Sequence, residues 1–334
     1  IDSTRLDDVT TLYANDGDDA VTVADLIGGA DRLLAIHGDG GADTLDASAV
    51  SGTNVTVLLF GDSGEEVYAG ADKRFLTLTG ASSLNPGIGG IDTLSSGTGR
   101  AILFGGAAGD FLYGNASDDI LIGDDGLVSF DNGVLTRFAS FGAVGGSDTI
   151  VAGGGNNFVI GGAADDSITA LGGSDTVLGD NGSVDYTVAG VITRVQSQDP
   201  GTGGEDTIDA GEGDNIILGG CGGDTLSADG GDDVILGDNG NLAYVTGALS
   251  RALTTDVSAT TGGDDVIDAG NGRNVVMGGV GNDSIVTGMG ADVVLGDNGT
   301  IEYDAGGNLT FARNEGSSVG GSDSIDTGAG NDVA

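Results

Sequence analysis

Aliphatic residues recur along this chain every nine positions, each two residues after an Asp or an Asn. In residues 143–182, Asp148, Asn157, Asp166 and Asp175 precede Ile150, Val159, Ile168 and Val177 in this way. The segment divides into AVGGSDTIV, AGGGNNFVI, GGAADDSIT and ALGGSDTVL, closed by GDNG. Each nonapeptide has a glycine-rich half, which predicts a tight turn because glycine reaches positive φ at little cost. The other half, x-(Ile/Val/Leu)-x, predicts a three-residue strand whose middle side chain points inward. A unit this short cannot bury a core alone and has to stack on its neighbours. The period therefore predicts an all-β solenoid.

A longer period overlies the short one. Gly179-Asp180-Asn181-Gly182 returns as Gly237-Asp238-Asn239-Gly240 and Gly296-Asp297-Asn298-Gly299, with looser copies at Gly61-Asp62-Ser63-Gly64 and Gly123-Asp124-Asp125-Gly126. The phrase Gly-Gly-x-Asp opens each long unit at Gly89, Gly145, Gly203, Gly262 and Gly320. This divides the chain into an irregular region 1–88, units 89–144, 145–202, 203–261 and 262–319, and the start of a further unit, 320–334. In the irregular region Gly28-Gly29-Ala30-Asp31 is still recognisable. The chain runs from Ile1 to Ala334, ending midway through a unit, so a piece of a longer polypeptide is expected.

After each GDNG the pattern changes. Residues 183–197, SVDYTVAGVITRVQS, alternate up to Val188, break at Ala189-Gly190 and resume at Val191, which signals a β-hairpin. Tyr244, Gly247 and Arg251 repeat it, as do Tyr303, Gly307 and Arg313, Phe130, Gly133 and Arg137, and Tyr68, Gly70 and Arg74. A hairpin is therefore expected about every 58 residues, with its Arg paired to an acidic turn.

Composition narrows the function. Glycine supplies 68 of 334 residues, or about one in five against a usual ~7%, while Trp is absent, so a conventional globular core is excluded. The formal charge is −42, from 52 acidic and 10 basic residues. Nucleic acid is excluded as a partner, because little here replaces phosphate counterions, and anionic lipid is excluded for the same reason. No apolar run is long enough to span a membrane. A compact chain this anionic repels itself, so something has to offset the charge. Cys221, the single cysteine, has no internal partner and reads as a space-filler.

Gly220-Cys221-Gly222-Gly223-Asp224-Thr225-Leu226 and Gly278-Gly279-Val280-Gly281-Asn282-Asp283-Ser284-Ile285 resemble the GGxGxDxUx repeat of RTX (repeats-in-toxin) proteins, where U is a large aliphatic. The resemblance covers most of residues 89–334. It implies a parallel β-roll in which two nonapeptides make one coil of 18 residues, with Ca²⁺ held at many turns. Ca²⁺ takes six to eight oxygens, and glycine-rich turns supply carbonyls to which an Asp adds charge. By resemblance, turns on one side share ions: Asp148 with Asp166, Asp206 with Asp224, Asp265 with Asp283. The other side pairs Asn157 with Asp175, Asn215 with Asp233, and Asn274 with Asp292. Asp92, Asp110, Asp119, Asp323 and Asp332 complete the implied ligand set. The Asn turns and Ala101, where the pattern has Asp, depart from it and imply weaker or empty sites. Asp180, Asp238 and Asp297 of the GDNG turns are expected to compensate on that same side.

If strands alternate between two sheets, their flanking residues differ. Odd strands carry Thr149/Val151, Ser167/Thr169, Thr207/Asp209 and Thr225/Ser227; even strands carry Phe158/Ile160, Ile216/Leu218, Val234/Leu236, Val275/Met277 and Val293/Leu295. The even sheet is then apolar on both faces and needs a cover. The hairpins are expected to supply it, with some self-association.

The expected function is a non-catalytic structural or adhesive module at a bacterial surface, exported by type I secretion and folded by Ca²⁺ into a rigid rod, with self-assembly into filaments or a surface matrix as an open extension. The alternative is the repeat region of a secreted lipase, protease or epimerase. Against an enzyme, the chain lacks His-Glu-x-x-His and Gly-x-Ser-x-Gly, and its one histidine, His37, reads as a turn residue. Ice binding ranks low, because the position before each inward aliphatic varies among Thr, Ser, Phe, Ile and Val.

Overall fold

The computed structural model describes residues 9–24, 32–70, 77–256, 258–315 and 319–334. Gly28-Gly29-Ala30-Asp31 and Arg74 lie outside the described residues. Among those described, strands form two 11-stranded parallel sheets, one 10-stranded antiparallel sheet and a two-stranded parallel pair, Met289–Gly290 with Ala329–Gly330. No helix among them is long and apolar enough to cross a membrane.

The coil follows from the nonapeptide. Strand Thr149–Gly154 lies in an outer sheet, and the chain turns into Phe158–Gly162 of a middle sheet. It then turns back to Ser167–Gly172, which pairs in parallel with the first strand, Ile150 opposite Ile168. Strand Thr176–Asp180 pairs with Phe158–Gly162, Val159 opposite Val177. Each coil thus takes two nonapeptides. The inward aliphatics stack between the two sheets as one core, from Ile36 and Leu45 through Ile168 and Val177 to Ile285 and Val294, all buried.

At GDNG the chain leaves the coil, makes a hairpin and returns in register. Strand Thr176–Asp180 pairs directly with Ile216–Gly220, Thr176 opposite Ile216, although residues 182–197 are spent on the hairpin between them. The hairpins pair with one another. Phe138 of one lies opposite Val184 of the next, and Val195 opposite Leu242. They form one continuous sheet over the outward face of the middle sheet. A second buried core fills the gap, with Ile160, Leu178, Leu218, Leu236 and Met277 facing Phe138, Val184, Val195, Leu242 and Ala252. The expected cover is therefore the hairpin layer.

The recurrent aromatic has a specific task. Each hairpin ladder shifts register beside it, between Val67 and Tyr68, Ser129 and Phe130, Asp185 and Tyr186, Ala243 and Tyr244, and Glu302 and Tyr303. A bulge re-aims a side chain, and here it sends the ring down onto the second core. The arginine expectation is corrected. Arg137 Nη1 lies 2.9 Å from Asp185 Oδ1 and Arg194 Nη2 lies 3.1 Å from Asp185 Oδ2. Asp185 is a strand residue, not a turn residue. Arg137 reaches it because adjacent hairpins align Arg137 opposite Asp185. Both pairs are partly exposed; the first ties neighbouring hairpins and the second joins the two arms of one hairpin, at a gain of at most about 1 kcal/mol each.

His37 is also corrected. It ends strand Arg32–His37, is fully buried, and stacks between Tyr13 and Phe60 with ring centroids 4.6 Å away on each side. Its Nε2 lies 2.9 Å from Glu66 Oε1 of the first hairpin.

The two cores make a separable prediction. Val275 and Met277 face the hairpins, whereas Val276 between them faces the coil core. Replacing Val275 and Met277 by Ser is expected to cost about 2–5 kcal/mol and to expose the hairpin 240–254 to protease. Calcium-induced β structure should persist in circular dichroism. Calcium affinity lower by orders of magnitude would show that the cores are not separable.

Candidate metal centres

The Asp that opens each outer-sheet strand sits at one edge of the coil stack. There each backbone N–H donates to the Asp of the following coil. Asp148 N–H donates to Asp166 Oδ1 at 2.8 Å, Asp166 to Asp206 at 2.7 Å, Asp206 to Asp224 at 2.8 Å, and Asp224 to Asp265 at 2.7 Å. The ladder runs from Asp19 and Asp43 through Asp92, Asp110 and Asp148 to Asp265, Asp283 and Asp323. It is unbroken by the hairpins, because the coil returns in register after each one.

The second carboxylate oxygen of these residues is the informative atom. In Asp43, Asp92, Asp110, Asp148, Asp166, Asp206, Asp224, Asp265 and Asp283, Oδ2 is buried and has no hydrogen-bond partner. Each points into a small cradle against a glycine. A Cβ placed on Gly219 would lie inside 3.0 Å of both Asp224 Oδ2 and Gly237 O, and one on Gly161 inside 3.0 Å of Asp166 Oδ2 and Gly179 O. The same holds at Gly123 with Asp148 Oδ2 and Gly161 O. A buried anionic oxygen beside a backbone carbonyl, with no donor, costs several kcal/mol unless a cation joins them. No group of three or more His, Cys, Asp or Glu side chains suited to a metal converges among the described residues. The oxygen set is instead one carboxylate per coil plus carbonyls, which suits a hard cation.

The opposite edge is built on the same plan with different residues. Asp119 N–H donates to Asn157 Oδ1, Asn157 to Asp175, Asp175 to Asn215, Asn215 to Asp233, Asp233 to Asn274, Asn274 to Asp292, and Asp292 to Asp332. Ala101 stands at the head of this row and donates to Asp119 Oδ1 at 2.7 Å. Only Asp175 and Asp233 leave an orphaned Oδ2 here among the described residues. Asp119 Oδ2 accepts from Asn115 N–H and Asp292 Oδ2 from the Thr287 hydroxyl, each at 2.8 Å.

The GDNG carboxylates do not complete this second edge. Each GDNG follows a middle-sheet strand, and the turn after such a strand belongs to the Asp edge. Asp180 accepts from Gly204 N–H at 3.1 Å and from Cys221 N–H; Asp238 accepts from Gly263 N–H at 3.0 Å and from Val280 N–H; Asp297 accepts from Gly321 N–H at 3.0 Å. These contacts fasten the returning chain to the coil it left. Asp62 and Asp124 do the same through Ala107 and Ala163.

Ladder residues Asp19 and Asp43 were not singled out from the sequence, nor was Asp256, which accepts from Asn239 N–H at 2.9 Å; Asp62 and Asp124 were marked only as members of the looser GDNG copies, not as fasteners. Gly40-Gly41-Ala42-Asp43-Thr44-Leu45 carries the opening phrase and marks Asp43 in retrospect.

Burial raises the ladder carboxylates, Asp92 to about 8, Asp110 to about 10, and Asp224 and Asp283 to about 7. Desolvation is the main cause, and the neighbouring Asp148 adds to it at Asp110. Asp148, Asp166, Asp206 and Asp265 move in the same direction for the same reasons. Without metal, the folded state therefore binds more protons than the unfolded chain, whose carboxylates titrate near 3.8. The stabilisation is full below that value and is lost as pH rises through about 7 to 10. Metal-free protein is expected to show more β structure at pH 5 than at pH 8. A metal-free circular dichroism series in which structure grows with pH would contradict the assignment. In excess calcium the dependence should invert, because protons compete with the cation for the same oxygens.

Comparison with curated proteins gives no match. The family model for the RTX calcium-binding nonapeptide repeat matches residues 35–51, 95–126, 143–183, 200–226, 214–241, 255–285, 270–300 and 319–334. These matches cover more than half of the chain and fall on the glycine turns and their strands. The chain thus belongs to the RTX calcium-binding repeat family, and its cofactor is Ca²⁺ at multiple sites.

Proposed function

We propose that this chain is a non-catalytic, extracellular rod segment that calcium folds. The observation that supports it most is the unbroken Asp ladder, whose orphaned oxygens recur from coil to coil and need a cation to coexist. Ligands are the Asp-edge carboxylates Asp92, Asp110, Asp148, Asp166, Asp206, Asp224, Asp265, Asp283 and Asp323, with carbonyls of the adjoining glycine turns. Asp175 and Asp233 serve on the other edge. At low cytosolic calcium, carboxylate repulsion and glycine entropy keep the chain unfolded, which suits export as an unfolded substrate. Outside, millimolar calcium meets sites of Kd about 10⁻⁴–10⁻³ M, and the binding energy becomes folding energy.

Stacked parallel sheets with a hairpin layer make a stiff, elongated body suited to spanning distance. His37 is fully buried in an aromatic stack and paired to Glu66, which supports a structural reading. The test is to purify the segment in calcium, image it, and assay it against ester, peptide and glycoside substrates. Rods without hydrolysis are expected, with filaments if copies associate. Turnover that is lost on mutating a residue of this segment would overturn the reading.

A further inference from the structure

We propose that Asn157, Asn215 and Asn274 are built-in replacements for the cation, so that their three turns stay metal-free while the Asp edge loads calcium. This rests on the calcium-ligand reading above. The side-chain orientation is the first argument. Oδ1 of these residues accepts from the N–H of Asp119, Asp175 and Asp233 at 3.1, 2.9 and 3.0 Å. Turning an amide over would set its NH₂ against that N–H and its oxygen against carbonyls, so the orientation is determined.

The amide nitrogen then occupies the place where Asp has its orphaned Oδ2, and it meets the carbonyls of its own turn. Asn215 Nδ2 donates to Gly211 O at 3.1 Å and Gly213 O at 3.0 Å. Asn274 Nδ2 donates to Ala269 O at 3.2 Å and Gly270 O at 3.3 Å. Asn157 Nδ2 lies 3.3–3.5 Å from the carbonyls of Gly153, Gly154 and Gly155. An NH₂ has two donors and no acceptor, so it satisfies converging carbonyls as a cation does and leaves no place for one. The carbonyl cluster that repels an Asp oxygen attracts an Asn nitrogen.

Charge placement is independent of that geometry and agrees with it. On this edge Arg100 precedes Ala101 and Arg273 precedes Asn274, and Arg273 Nε donates to Asp232 Oδ2 at 3.0 Å. On the Asp edge the corresponding residues from Asp18 to Ser322 include no Arg or Lys. Two of the protein's ten basic residues and three amides thus stand on the edge where the carboxylates are diluted, and none of the corresponding Asp-edge positions is basic. The three Asn turns are metal-independent, while the Asp turns of both edges respond to calcium.

The experiment counts bound calcium per chain by equilibrium dialysis at saturating calcium. It compares wild type, the triple variant Asn157→Asp, Asn215→Asp and Asn274→Asp, and the triple variant with Ala at the same positions. The Asp variant is expected to bind about one further ion per substituted turn. The Ala variant should bind as many ions as wild type but melt at lower temperature, because its carbonyls lose their donors. Fewer ions in the Ala variant would show that the Asn residues are ligands and overturn the proposal. An unchanged count in a folded Asp variant would overturn it too. If the triple variant does not fold, the single Asn215→Asp variant decides in the same way. Failure of the calcium reading itself is distinguishable, since wild type alone would then bind no calcium.

Discussion

Removing calcium at pH 7.5 is expected to unfold this chain, not merely to loosen it. Dialysis against a chelator should abolish the β signal in far-ultraviolet circular dichroism and the calorimetric melting transition, and added calcium should restore both. The magnitude follows from linkage. At ten times its Kd, a bound ion contributes about 1.4 kcal/mol to folding. One ion at each of the nine orphaned carboxylates of the Asp ladder contributes about 13 kcal/mol in total, as much as the ~5–15 kcal/mol that separates folded from unfolded states in ordinary domains. Removing the ions also restores what they masked, a row of buried carboxylates from Asp43 to Asp283 with no donor for one oxygen each. Magnesium should rescue poorly, because it demands a tighter octahedral shell and releases its water reluctantly. A chelated sample with unaltered spectrum and melting temperature would end the account.

The two internal rows of aliphatics were legible in the sequence because a nine-residue period leaves only one side chain per strand to point inward. The need for a cover was legible too, from apolar flanks such as Val275 and Met277, and the hairpins meet it. The side on which GDNG lies was not legible. It depends on which sheet the preceding strand belongs to, and Asp180 follows a middle-sheet strand, which sends it to the Asp edge. The partner of Arg137 depends on the register between two hairpins 48 residues apart in sequence, which neither hairpin encodes alone. Near the N-terminus the Asp-edge residues Asp19, Asp43 and Asp92 are 24 and 49 residues apart instead of multiples of nine, so the nine-residue ruler fails there and Asp43 falls outside it. An Asn in place of Asp reads as a missing charge. Only the folded chain shows that its nitrogen takes over the task.

The second large effect concerns a glycine whose requirement is space. Gly219 closes the middle-sheet strand Ile216–Gly220 beside Asp224 Oδ2 and Gly237 O, and both lie inside 3.0 Å of any Cβ placed there. One of these atoms belongs to the backbone of the next strand and cannot rotate away. The other belongs to a carboxylate fixed at Oδ1 by the Asp206 N–H. Gly219→Val therefore forces adjacent coils apart where the ladder joins them. We expect a loss of about 3 kcal/mol or more from overpacking, together with the calcium site that the displaced oxygens serve, read as a lower melting temperature in saturating calcium and a reduced ion count. Gly201→Ala is the matched control, since nothing lies within 4 Å of its Cβ position. Its melting temperature and ion count should equal those of wild type. If Gly219→Val also matched wild type in both, the close approach of carbonyl and carboxylate would not be what joins the coils. The ions would then have to be held elsewhere in the glycine turns.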